Sequence, residues 1–185
     1  MPFPTRRDGA GAGHFRSEDP PMLGVVLLFV GVILIVNGLT LAGRIAAKEA
    51  AVLNLLVGSL SAFAAVLGAI QASTPADFLA VGSGLLFAFT YLYVAAVHWF
   101  QLDGRGLGWY CLFVAITALP VGWAAYAIGD LRMAVIWLIW SSLWLLFFVD
   151  LCTGVRVKRF LAPYTVVVGI VTCWIPGTLM LLARW

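Results

Sequence analysis

The chain is written in long uncharged stretches separated by brief charged ones. Residues 20–43 carry no charge and are followed by Arg44, Lys48 and Glu49; residues 50–76 are uncharged up to Asp77. Two further windows, 78–102 and 106–129, end at Asp103 with Arg105 and at Asp130 with Arg132. The fifth runs from Met133 to Val149, ahead of Asp150 and the basic group Arg156, Lys158 and Arg159; the last is 160–183. A helix needs about 20 apolar residues to cross hydrocarbon, where backbone polar groups are satisfied only within the segment. Six windows meet or nearly meet that length. The pattern predicts an all-α integral membrane protein, a compact six-helix bundle whose short connections make neighbours antiparallel.

Residues 1–21, MPFPTRRDGAGAGHFRSEDPP, break the pattern. They are polar, rich in Gly and Pro, mixed in charge, and predicted to be disordered. The tail has no apolar core and is not by itself a signal peptide. Met22 opens the first apolar run and is a candidate start of translation. The chain thus divides into a tail, 1–21, and a six-helix domain, 22–185.

Composition agrees. The chain is 63% hydrophobic and 10% charged, against about 25% charged in soluble domains, too little polar surface to cover a water-soluble globule. The net charge of +3 is spread over short loops, which gives no nucleic-acid footprint. Cys111, Cys152 and Cys173 lack metal-site or CxxC spacing and read as free, small apolar residues. Lys and Arg set orientation. The loops after helices 1, 3 and 5 carry Arg44, Lys48, Arg105, Arg156, Lys158 and Arg159, whereas those after helices 2 and 4, with the C-terminus, carry Arg132 and Arg184. The odd-numbered loops are therefore placed in the cytoplasm and both termini outside. Arg6, Arg7 and Arg16 oppose this unless translation begins at Met22.

Within the windows, side-chain spacing suggests a lining. Trp137, Trp140 and Trp144, at i, i+3 and i+7, fall on one face of the fifth helix. Membrane tryptophans normally sit at headgroup level; here two lie near mid-span, as one wall of a narrow pore would require. On the third helix Phe87 and Tyr91 share a face at i, i+4, with Thr90 beside them. A mid-membrane tyrosine hydroxyl needs a partner, in the core or in a solute. Asn37 reads as interhelical glue or as a polar lip at the cytoplasmic mouth, and Asn54 as glue. Gly58, Ser61, Ala62 and Ala65 make the second helix a packing helix. His98, near the cytoplasmic end of the third, reads as a satisfied or interfacial residue or, less simply, as a ligand or relay. Pro120 predicts a kink in the fourth helix, and Pro176 with Gly177 a bent or loosened outer end of the sixth.

Much chemistry is missing from the sequence. No apolar window holds a pair of carboxylates, and His98, the one histidine of the membrane part, excludes a bis-histidine haem. No Walker, GxSxG, HExxH or Rossmann pattern occurs. The expectation is no enzyme, no cofactor and no metal. Ion-coupled carriers generally need ionisable groups at the midplane, and none is present. An uncharged polar interior suits a small neutral polar solute and rejects ions, whose hydration shell nothing replaces.

The stretches MLGVVLLFVGVILIVNG, AVLNLLVGSLS, GLLFAFTYLYVAAVHWFQLD, WYCLFVAI, AVIWLIWSSLWL and WIPGTLMLLARW, in this order between Met22 and Trp185, resemble the urea/amide channels of the AmiS/UreI type. The resemblance implies a protomer of three two-helix hairpins with its own channel, in a homo-hexamer. It also implies passive conduction of urea, acetamide or other short amides across a bacterial inner membrane, in the service of a cytoplasmic urease or amidase. Residue by residue, the family's constriction falls on Leu27 and Leu34 of helix 1, Phe87 and Tyr91 of helix 3, and Trp137, Trp140, Leu143 and Trp144 of helix 5. Two departures bear on gating. Acid-gated members have a long outer loop with histidines and acids between helices 2 and 3, where this chain has only QASTPADF. They also carry a glutamate in helix 6 where this chain has Val168. An ungated channel is expected, with planar solutes passing between ring faces narrowed by leucines. The competing readings are a proton-coupled amide carrier and a structural or regulatory membrane subunit without a pore.

Overall fold

The structure, a computed structural model, describes residues 20–185; the tail expected to be disordered lies, but for its last two residues, outside the described residues. Six helices follow: α1 Pro20–Leu41, α2 Ala47–Gln71, α3 Pro75–Phe100, α4 Arg105–Ala127, α5 Leu131–Cys152 and α6 Lys158–Leu181. Each is long and apolar enough to cross a membrane, and the chain is a multi-pass membrane protein.

Helices α2 to α6 begin one to three residues before the apolar windows do. A charged residue marks the edge of the hydrocarbon, not the end of the helix, and polar side chains are useful in a first turn because four N–H groups there lack helical partners. Thr74 caps α3 by accepting from the Asp77 N–H (3.2 Å), while the Asp77 carboxylate accepts from the N–H groups of Thr74 (2.8 Å) and Ser73 (3.0 Å). Asp130 caps α5 through the Met133 N–H (3.0 Å).

The helices form a closed ring in chain order. Three pairs pack closely along their length, α6 with α1, α2 with α3 and α4 with α5; the joints α1–α2, α3–α4 and α5–α6 touch over shorter stretches. Each sequential hairpin therefore splays and leans on the next. Among the described residues, helices on opposite sides of the ring make no substantial contact, which leaves the axis to side chains.

Glycines set the tight pairs. Gly24, Gly31 and Gly38 recur every seven residues on the α1 face against α6. A Cβ on Gly31 would stand 2.7–2.9 Å from backbone and Cβ atoms of Trp174, and one on Gly38 would stand 2.7 Å from the Ala162 carbonyl. Across the same seam, a Cβ on Gly177 would lie 2.7 Å from the Leu28 nitrogen. Between membrane helices, where lipid is as apolar as leucine, such close backbone approach supplies the packing energy. Gly58 does the same for α2 against Leu92 of α3.

α4 runs through Pro120 as one helical element. In α6 the loosening lies on the inner side of Pro176: Gly169–Trp174 is π-helical, and the Ile175 N–H reaches back to the Ile170 carbonyl. Pro176 has no N–H to close the regular turn on Thr172, and the helix takes up the change in the turn before it.

Candidate functional site

The inward faces of α1, α3 and α5 build the interior. Leu27 and Leu34 are buried while Phe29 and Val32, on other faces of the same helix, are exposed. Phe87 and Tyr91 are buried, as are Trp137, Trp140, Leu143 and Trp144. All eight candidates thus point into the bundle.

A cavity of about 270 Å³ lies inside, several times the roughly 30 Å³ a water molecule occupies in the liquid. Six of the eight candidates line it: Leu34, Phe87, Tyr91, Trp140, Leu143 and Trp144. Leu27 and Trp137 do not; they are buried beyond its inner limit. Asp150, His98 and Lys158 also line it, and their places on α5, α3 and α6 put them at the end of the bundle that carries the α1–α2, α3–α4 and α5–α6 connections. The cavity is a vestibule reaching in from this basic end.

Its inner limit is an aromatic cluster. The Phe87 ring lies 4.7 Å from Trp140, edge-on at 83°, 5.1 Å from Trp144 and 5.8 Å from Trp137. Trp137 and Trp140 meet edge-on at 5.0 Å. One phenyl ring from α3 therefore contacts the whole indole stripe of α5. Tilted and edge-to-face contacts of this kind are favourable aromatic geometry. They leave no parallel slot between Phe87 and Trp140.

Polar atoms are placed by local chemistry. The Trp140 indole N–H donates to Thr172 Oγ1 (2.8 Å), whose hydroxyl donates to the Val168 carbonyl (2.6 Å). The indole N–H at mid-span is thus used within the protein and is not free for a solute. The Tyr91 hydroxyl and the Trp144 indole N–H have no hydrogen-bond partner among the described residues, and both side chains line the cavity. Asn37 is at once glue and lip: it pairs with Asn54 and lines the vestibule. His98 keeps a buried Nδ1 without a hydrogen-bond partner among the described residues. Sequence reasoning missed Thr172. A lone hydroxyl one helical turn before a proline, where the ladder opens, was the available signal.

The family model described as AmiS/UreI family transporter matches residues 22–184. An acid-activated urea channel of Helicobacter pylori is 34% identical over 89% of this chain and 100% of its own length. A putative amidate substrates transporter protein of Mycolicibacterium smegmatis is 40% identical over 89% of this chain and 78% of its own. The cryo-EM structure of the Helicobacter pylori urea channel in its closed state superposes with a TM-score of 0.80 at 36% identity, covering 88% of this chain and 99% of that one.

Proposed function

Since this chain belongs to the AmiS/UreI family of transporters, we propose that it is a passive channel for small neutral planar amides, urea and acetamide among them. The observation that carries the reading is a largely apolar vestibule, carrying a few uncharged polar groups near its inner end, that is closed at its inner limit by the edge-on rings of Phe87 and Trp140. Such a constriction offers flat contact surfaces and no counter-charge, so a neutral planar solute loses little on entering while an ion loses its hydration. The eight residues named from the sequence form the pathway: Leu34, Tyr91, Leu143 and Trp144 on the vestibule side, Phe87 and Trp140 at the limit, Leu27 and Trp137 beyond it. Tyr91 and Trp144 supply the free edge groups.

The channel is not acid-gated in this reading. Only residues 72–74 separate α2 from α3, Asp77 is engaged in capping, and the buried Val168 has no proton to exchange. The basic end faces the cytoplasm of a bacterial inner membrane by the distribution of Lys and Arg, with both termini outside. The working form is a homo-hexamer serving a cytoplasmic amidase or urease.

Stopped-flow light scattering on proteoliposomes tests the function. Urea and acetamide are expected to equilibrate well above the lipid background and glycerol far more slowly. Permeability no higher than empty liposomes would refute a pore. Accumulation above equilibrium under an imposed pH gradient would instead establish a coupled carrier.

A further inference from the structure

Two buried amides face each other at the vestibule wall. Asn37 on α1 donates to Asn54 Oδ1 on α2 (3.1 Å), and Asn54 donates back to Asn37 Oδ1 (2.8 Å). Asn54 gives its second N–H to the Ala50 carbonyl (2.9 Å). A carboxamide has two N–H groups and two lone pairs. Asn54 has therefore used both donors and is fully buried. Asn37 lines the cavity and keeps one N–H and one lone pair without a protein partner among the described residues.

The surroundings sharpen this. Thr40 and Thr90 also line the cavity, and each donates its hydroxyl hydrogen to the carbonyl four residues back, at Val36 (2.8 Å) and Leu86 (2.7 Å). Only their lone pairs remain for the cavity. Asn37 thus offers one amide N–H among oxygen acceptors, the complement of a molecule with one carbonyl and two or more N–H groups.

We propose that Asn37, held in orientation by Asn54, is a recognition subsite for primary amides and urea on the basic-end side of the aromatic limit. The solute carbonyl accepts the free N–H of Asn37, and solute N–H groups bond to the remaining Asn37 lone pair or to the threonine oxygens. The Asn37–Asn54 dimer is already an amide–amide contact, and a solute extends it by one member. This rests on the reading of the chain as an amide channel and adds where amides are selected. Asn37 binds, whereas Asn54 is a positioning residue.

The test is competition of acetamide against radiolabelled urea flux in proteoliposomes, in the wild type, in Asn37→Leu and in the double variant Asn37→Leu/Asn54→Leu. The half-inhibiting concentration does not depend on how many channels folded. The double variant strands no amide, because replacing both partners by apolar groups of similar size is close to neutral. Both variants are expected to raise the half-inhibiting acetamide concentration about three- to tenfold, the change a single hydrogen bond of typical net strength makes. Unchanged half-inhibition in the double variant, or urea flux in the wild type that acetamide does not inhibit, would overturn the subsite. Absence of any urea flux in the wild type would overturn the channel reading itself.

Discussion

The hydrogen bond from Trp140 to Thr172 ties the aromatic cluster to the π-helical turn of α6, and removing it is a measurable perturbation. Thr172→Val keeps the β-branched shape and deletes the hydroxyl. Trp140 is 2% exposed, so its indole N–H, now 2.8 Å from Thr172 Oγ1, would have neither protein nor bulk water to bond. Stranding a buried donor costs about 1–3 kcal/mol. At about 2–4 °C per kcal/mol for a chain of this size, the melting temperature should fall by somewhere between a few and about ten degrees. A thiol-reactive fluorophore can follow the transition, because Cys173 is buried until the bundle opens, while the half-buried Cys152 and the cavity-lining Cys111 set the starting baseline. The cycle is closed with Trp140→Phe, which removes the donor. In that background Thr172→Val should cost less than about 0.5 kcal/mol, since the hydroxyl still bonds to Val168 but has lost its guest. Urea flux should also fall in Thr172→Val, as the indole is no longer pinned at the constriction. Equal losses of stability from Thr172→Val in both backgrounds would refute the claim that this bond fixes Trp140.

Other outcomes follow from the same geometry. Trp140→Ala and Trp144→Ala should each change reconstituted urea or acetamide flux far more than Trp109→Ala, whose side chain is 62% exposed on the outer face of α4; similar effects at all three would remove the constriction from this cluster. Gly31→Val would force a side chain against the Trp174 backbone, and should cost at least the roughly 1–3 kcal/mol typical of overpacking, read as a lower melting temperature. Urea flux should vary less than about twofold as the outer pH moves from about 7.5 to about 5. On the outer side the α2–α3 connection is only residues 72–74, and the Asp77 carboxylate there is already taken up by the Ser73 and Thr74 N–H groups. A steep rise on acidification would overturn the ungated reading.

The spans were legible because hydrocarbon imposes one strong rule, a run of apolar residues long enough to cross, and six windows obeyed it. Helix starts were less legible, since capping draws the charged residues of the connections into the first turn. The inward placement of Trp137, Trp140 and Trp144 could be read from their spacing because large indoles at mid-span have few other uses. Leu27 and Leu34 could not be read from spacing, as leucine serves lipid and interior alike; only the resemblance singled them out. The α1–α6 seam was hidden for a different reason. Its partners are the first and last helices, and no local pattern reports a contact between chain ends, although the heptad recurrence of Gly24, Gly31 and Gly38 was there to be seen. The Trp140–Thr172 bond depends on a change of helical register before Pro176, which alters which side chains face inward without altering the hydrophobic pattern.

The ring has two kinds of joint, and most interhelical hydrogen bonds follow the division; the tight α4–α5 pair departs from it, with Ser141 Oγ donating to the Ala115 carbonyl (2.7 Å) and Cys152 Sγ to that of Arg105. Where helices pack closely, small residues let backbones touch, as along α6–α1 and at Gly58 between α2 and α3. Where they splay, hydrogen bonds bridge the gap: Asn37 with Asn54 between α1 and α2, Tyr110 to the Leu86 carbonyl (3.2 Å) between α4 and α3, and Trp140 to Thr172 with Ser142 to Tyr164 (2.6 Å) between α5 and α6. Van der Waals packing alone would draw a splayed joint shut, because nothing in lipid opposes closer approach of apolar faces. A buried hydrogen bond has a fixed length, and leaving its ends unmade in hydrocarbon is costly. It therefore acts as a spacer as much as a tie. At two of the three splayed joints a bridging side chain, Asn37 or Trp140, also lines the vestibule. For the proposed pathway the consequence is direct: two of the bonds that keep the ring open lie against the vestibule, so apolar replacement of a single partner in either should narrow the passage before it unfolds the protein.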